Sequence, residues 1–198
     1  MEAFNQTIFL LINASAKPNP GIVALAVLFA EYAVWLAPAS LVFKWLRGDD
    51  TTRQRLIEAS ACALIALLAA QIIGVIWPHP RPFMIGLGHT LIVHAADSSF
   101  PSDHLTFLWA VAFSFLMHPE ARRAGCLLTV LGLPVAWARI YLGVHFPLDM
   151  AGAALVAGAS AWLCALTGRW FAAPVVRAAM LAYRPLFAPL IRRGWVSR

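Results

Sequence analysis

Along the chain, long apolar runs alternate with short polar stretches. Five runs approach the roughly 20 residues that a helix needs to cross the hydrocarbon of a bilayer. They cover about 21–43, 58–77, 102–117, 124–141 and 147–168. The third is short. It predicts a helix that starts below the membrane surface, inside a protein-lined cavity where irregular backbone is tolerated. Two flanking pieces differ. In residues 4–16, Phe4, Ile8, Leu11 and Ile12 share one helical face, with Asn5, Gln6 and Asn13 elsewhere. Residues 170–198 mix Arg177, Arg184, Arg192 and Arg193 with Val176, Leu186, Phe187 and Leu190, and are broken by Pro185 and Pro189. Both read as interfacial amphipathic segments. The pattern therefore predicts an all-α fold: a polytopic membrane helix bundle of about five transmembrane helices plus interfacial N-terminal and C-terminal helices. It forms one domain over 1–198, with a core over about 20–170 and a basic tail over 170–198.

Composition agrees with that pattern. Only 12% of the 198 residues are charged and 61% are hydrophobic. A soluble domain carries about 25% charged residues, so lipid must cover much of this surface. The N-terminal stretch MEAFNQTIF lacks a basic region, which argues against a cleaved signal peptide. Cys62, Cys126 and Cys164 lie inside apolar runs with no ligand-like spacing, so they read as small span residues.

The net charge of +6 could suggest nucleic acid, but its placement argues for topology instead. With the N-terminus outside, the inner segments 44–57, 118–123 and 169–198 hold twelve of the fifteen Lys and Arg residues. That is the positive-inside pattern, and it makes a nucleic-acid partner unnecessary. Lys17, Arg81 and Arg139 remain outside, together with every histidine except His118.

Three tracts meet at that outer side: His79-Pro80-Arg81-Pro82-Phe83, Phe100-Pro101-Ser102-Asp103-His104, and the run from Arg139 through His145 to Asp149. Ser102 can cap the third span and aim the amides of Asp103 and His104 at an anion, with the His104 imidazole beside them as proton donor. An ordinary cap with a surface histidine is the plain alternative. Pro147 suits a helix start, which puts Asp149 in the first turn, where the dipole favours its ionised form. His145, four residues earlier, lies within reach of that carboxylate, which would fix its tautomer and sharpen the other nitrogen as a nucleophile. Arg81 lies between prolines in extended chain, and Arg139 precedes His145 by six residues. Two arginines and a helix N-terminus can neutralise a phosphoryl group in its transition state. Glu31 sits near the middle of the first run. A carboxylate there is a functional candidate, the alternative being a protonated group bonded to a neighbouring helix. Gln71 reads as helix glue, and Ala154, Ala157, Gly158 and Ala161 as packing residues.

The order RP, PSDH, RxxxxxHxxxD resembles the three-part signature of the type-2 phosphatidic acid phosphatase superfamily over about residues 20–170. Glu31-Tyr32, Pro80–Phe83 and the run His94–His104 resemble the bacitracin-resistance undecaprenyl pyrophosphate phosphatases more closely. That resemblance implies a multi-pass hydrolase of the bacterial cytoplasmic (inner) membrane, with its site facing the exterior. It would act on an isoprenoid lipid pyrophosphate and form a phosphohistidine without a metal or cofactor. It also implies roles: His145 as nucleophile, Asp149 orienting it, His104 as acid, and Arg81, Ser102 and Arg139 holding phosphoryl oxygens, with Asp103 and Glu31 also contacting substrate. Three positions depart from the superfamily pattern: Gly74 in place of a Lys, Asp103 in place of a Gly, and Ala138 in place of a Ser. Asp103 fits the pyrophosphate branch. A phosphatidylglycerophosphate or phosphatidate phosphatase is the alternative substrate reading, and a non-enzymatic lipid-phosphate carrier is the alternative of another class. A vanadate-dependent oxidase fits the signature but not five spans. Membrane lipids are the expected surroundings, and nothing in the pattern specifies an oligomeric state.

Overall fold

The structure is a computed structural model that describes residues 2–197. Its elements are all helical: α1 (Glu2–Ile12), α2 (Pro20–Val27), α3 (Leu36–Arg47), α4 (Asp50–Ile76), α5 (Asp103–Leu116), α6 (Arg122–Tyr141), α7 (Pro147–Leu186) and α8 (Ala188–Arg192). A π turn, Leu28–Tyr32, and a 3-10 turn, Ala33–Trp35, join α2 to α3. Together, Pro20–Arg47, α4, α6 and α7 give four stretches long and apolar enough to cross a membrane, and α5 is the shorter apolar helix. The chain is thus a multi-pass membrane protein.

Local chemistry explains where these helices begin. Asn19 caps α2, its Oδ1 accepting from the amide of Gly21 at 2.8 Å, and Pro20 occupies the first turn. Asp49 caps α4 by accepting from the Thr52 amide at 2.8 Å. Packing between spans uses small residues, because lipid offers no hydrophobic drive for helix association. Along α7, Gly152, Ala153, Ala157, Ser160, Ala161, Cys164 and Gly168 form a buried stripe. It packs on the buried face of α4, made by Ala59, Cys62, Ala63, Ala66 and Ala70. The opposite face of α7 exposes Leu155, Trp162, Leu166 and Trp170, as a lipid-facing surface requires. Of the residues read as packing positions, Ala157 and Ala161 are buried, while Ala154 and Gly158 are half-buried.

The C-terminal region differs from the pattern. The fifth span runs on as one helix of 40 residues, through Pro174, to Leu186. At about 1.5 Å per residue it is about twice the roughly 30 Å depth of the hydrocarbon. Its last turns fold against the end of α3 and the start of α4: Val176, Met180 and Tyr183 pack with Trp45, Leu46 and Ile57. Arg53, wholly buried, ties this end together by donating to the carbonyl of Ser197 at 3.0 Å and pairing with Asp50 at 3.1 Å. The tail is therefore held by tertiary contacts that its own periodicity does not encode. The basic residues of the loop after α3, the start of α6 and the second half of α7 all lie at the end of the bundle away from the three tracts.

Candidate active site

The site is assembled where α6 ends and α7 begins. Arg139 occupies the last turn of α6, and Gly143 follows with φ +82°, a conformation that side chains rarely adopt. A Cβ at Gly143 would also overlap the carbonyl of His89, so the turn that presents His145 depends on glycine. Pro147 then starts α7, and Asp149, three residues in, accepts from the Phe146 amide at 2.7 Å. The same oxygen, Oδ2, lies 3.1 Å from His145 Nδ1 and accepts from the Ser99 hydroxyl. Asp149 therefore caps the helix and orients the imidazole at once. With Nδ1–H donated to the carboxylate, Nε2 carries the free lone pair.

Arg81 reaches that lone pair. Its Nη1 lies 3.0 Å from His145 Nε2 and 2.9 Å from the Val144 carbonyl. Its Nη2 pairs with Asp97 at 2.8 Å and donates to the Ser98 carbonyl at 3.2 Å. Arg139, 1% exposed, donates through Nη1 to Glu31 at 3.1 Å and through Nη2 to His94 at 2.9 Å. Among the described residues, Arg139 Nε, Ser102 Oγ and Asp149 Oδ1 are buried here without a partner. Beside them, the first amides of α5 lack intrahelical acceptors. Two cations and orphaned donors around one imidazole make a place for an anion with several oxygens.

His145 is 1% exposed. Burial pushes its pKa well below the ordinary imidazole value, and the neighbouring Arg139, Arg81, His94 and His104 push it the same way. It is thus the free base at neutral pH, the form a nucleophile needs.

The structure separates the expected residues into groups. Arg81, His145 and Asp149 are in direct contact. Arg139 joins them through Glu31 and His94 and does not touch His145 directly. Glu31 lies in the π turn, half-exposed, and its contact with a neighbouring helix is made to Arg139 of α6. Ser102 does hold the N-cap position of α5, but its hydroxyl makes no capping bond. Asp103 accepts from Gln71 at 2.9 Å, which agrees with Gln71 as interhelical glue. His104 and Asp103 line one groove of about 350 Å³, whose other walls are the apolar Val34, Trp35, Pro38 and Phe107. Asp97, Ser99 and His94 enter the sequence reading only within the run His94–His104 that carries the resemblance, with no role assigned to them. All lie in the irregular segment before α5, which has no period to read. This segment is held by tertiary contacts, including the Ser99 amide on the His79 carbonyl at 2.7 Å. Phe100 packs over Gly152, where a Cβ would collide with its ring.

The sequence model of the PAP2 superfamily matches residues 55–173, which include all three tracts. The chain belongs to this superfamily. Among curated PAP2 relatives, YbjG of Escherichia coli (strain K12) is 37% identical over 197 residues, covering 99% of this chain and 98% of that protein. Undecaprenyl-diphosphatase BcrC of Bacillus subtilis (strain 168) is 35% identical, covering 77% of this chain and 78% of its own. The crystal structure of Aquifex aeolicus LpxE superposes with a TM-score of 0.67 at 23% identity, covering 81% of this chain and 94% of that one, a likeness of fold. Within the PAP2 pattern, Gly74 has a visible consequence. It lets Ser98 lie close to α4, with a Cβ at 74 only 3.3 Å from the Ser98 Cβ. The space beside it is a small polar cavity of about 160 Å³ bordered by Gln71, Asp97 and Asp103. A lysine is absent and carboxylates stand in that region instead.

Proposed function

We propose that the protein hydrolyses undecaprenyl pyrophosphate to undecaprenyl phosphate through a phosphohistidine on His145, recycling a cell-wall carrier lipid. The observation that carries this reading is the His145–Asp149 pair, with Nε2 under Arg81 and unpartnered Arg139 Nε and Ser102 Oγ beside it. The name of the BcrC relative supports the choice of lipid. The groove at His104 supports a lipid ester over a soluble phosphate, since it offers apolar walls to an isoprenoid chain next to the phosphate site.

Nε2 attacks the terminal phosphorus, and the bond to the bridging oxygen breaks. Before that, Arg81 must exchange its bond to Nε2 for a phosphoryl oxygen. Arg139, Ser102 and the first amides of α5 bind the other oxygens as charge builds on them. His104 gives its proton to the bridging oxygen, which leaves with the lipid monophosphate. Water, deprotonated by the same imidazole, then attacks the phosphohistidine, releasing inorganic phosphate and restoring His145. The lipid phosphate is a good leaving group, so one proton suffices.

The test is kcat/KM for undecaprenyl pyrophosphate, a shorter isoprenyl pyrophosphate, phosphatidate and phosphatidylglycerophosphate in one detergent. The pyrophosphates are expected to lead. Preference for a glycerolipid would overturn the substrate while leaving the chemistry. Tight binding without phosphate release would favour a carrier.

The site is proposed to face the exterior of a bacterial cytoplasmic membrane, because the basic residues gather at the opposite end. Reporter fusions after Arg47 and Arg123 should read cytoplasmic, and one near His89 external. An external signal at Arg123 would reverse the orientation.

A further inference from the structure

Arg139 is fixed from two sides, and both holders lie outside the three-part signature. Glu31 holds Nη1 at 3.1 Å, and His94 Nε2 meets Nη2 at 2.9 Å. The His94 ring has one consistent tautomer. Its Nδ1–H donates to the Ala95 carbonyl at 3.1 Å, so Nε2 is the acceptor for the arginine. Its centroid lies 6.1 Å from that of His145, nearly perpendicular to it. With both terminal nitrogens held, the buried Nε–H of Arg139 is left without a partner.

We infer that His94 is a positioning residue: as a hydrogen-bond acceptor it locks the Arg139 guanidinium, with Glu31, so that its unpartnered Nε–H is aimed at the phosphoryl group under attack. This rests on the phosphatase reading above. An arginine has five donors on a planar fork, and turning the plane redirects all of them. Two acceptors on the terminal nitrogens fix the plane before substrate arrives, so no reorganisation is needed as charge develops. The gain therefore appears in the transition state and in kcat more than in KM.

The lock works only while His94 is neutral. Protonation would place an N–H against the arginine N–H and break it. The charged and titratable groups around His94 are Arg139 from α6, Arg81 just before a 3-10 turn over Pro82–Ile85, Asp97 on its own segment, His104 from α5 and His145. Burial chiefly lowers its pKa, Arg81 and Arg139 lower it further, and the Ala95 carbonyl and Asp97 oppose them. The group is thus neutral at pH 7 and becomes charged as the pH falls below the ordinary imidazole range.

The experiment compares His94→Leu and His94→Gln with the wild type on the best substrate of the panel, as pH profiles of kcat and KM, with thermal midpoints as the folding control. Gln can place its carbonyl oxygen near the position of Nε2 without titrating. His94→Leu is expected to lose roughly 10–100-fold in kcat, the usual cost of removing a group that orients a functional side chain, with KM changed much less. His94→Gln is expected to recover most of that loss, and the acid limb of its profile should move to lower pH. Equal loss in Leu and Gln, or an unmoved acid limb in Gln, would overturn the inference while leaving the phosphatase standing. A wild type that releases phosphate from no member of the panel would overturn both.

Discussion

His145→Ala is expected to abolish phosphate release, with kcat falling by roughly 10⁴–10⁶-fold, the scale seen when an enzyme loses its nucleophile. The side chain is buried, and its Nε2 is the lone pair left free by Asp149 and covered by Arg81. Removing the ring leaves both arginines and the orphaned donors in place, so lipid pyrophosphate should still bind. A brief quench of the wild type with phosphate-labelled substrate should trap acid-labile, base-stable label on the protein, and His145→Ala should trap none. Activity within tenfold of wild type, or undiminished label, would refute the nucleophile.

Asp149→Asn should cost nearly as much, on the order of 10⁴-fold in kcat, for a different reason. One carboxylate oxygen faces the Ser99 hydroxyl, the Phe146 amide and His145 Nδ1. A carboxylate can accept from all three. An asparagine amide that turns its N–H₂ toward Nδ1 forces the proton onto Nε2, so the nucleophile loses its lone pair. The same turn removes the oxygen that caps the Phe146 amide, a cost of about 1 kcal/mol that the packed helix can absorb, so the helix should persist. The expected signature is a folded protein with a near-normal thermal midpoint, little turnover and no trapped label. A loss below tenfold would mean that the tautomer is set by something other than Asp149.

The spans were legible because bilayer depth and hydrogen-bond satisfaction constrain them locally. Runs of apolar residues can only be helices in lipid, and Pro147 marks the last start by chemistry within one turn; α4 begins at Asp50, ahead of the apolar run read from 58, because Asp49 caps it. The pairing of His145 with Asp149 was equally readable, because four residues across a proline-initiated helix start bring the groups together without help from the rest of the chain. The convergence of Arg81, Ser102 and Arg139 at one end followed from counting spans. The family itself was legible from the three tracts.

What the sequence could not specify depends on contacts between segments far apart in the chain. Ser99 reaches Asp149 from 50 residues away, and His94 reaches Arg139 from 45, out of a stretch with no periodicity. Arg139 has no local signal for its partners, since Glu31 lies in another span and meets it through a π turn that no pattern announces. The long C-terminal helix was hidden for the same reason: Pro174 and Pro185 argue locally for breaks, but packing on Trp45, Leu46 and Ile57 carries the helix on to Leu186. Short-range chemistry and the lipid solvent therefore determined the spans, their caps and the reactive pair. The tertiary structure alone decided what surrounds that pair, because buried polar groups take whichever partner the packed helices bring within about 3 Å.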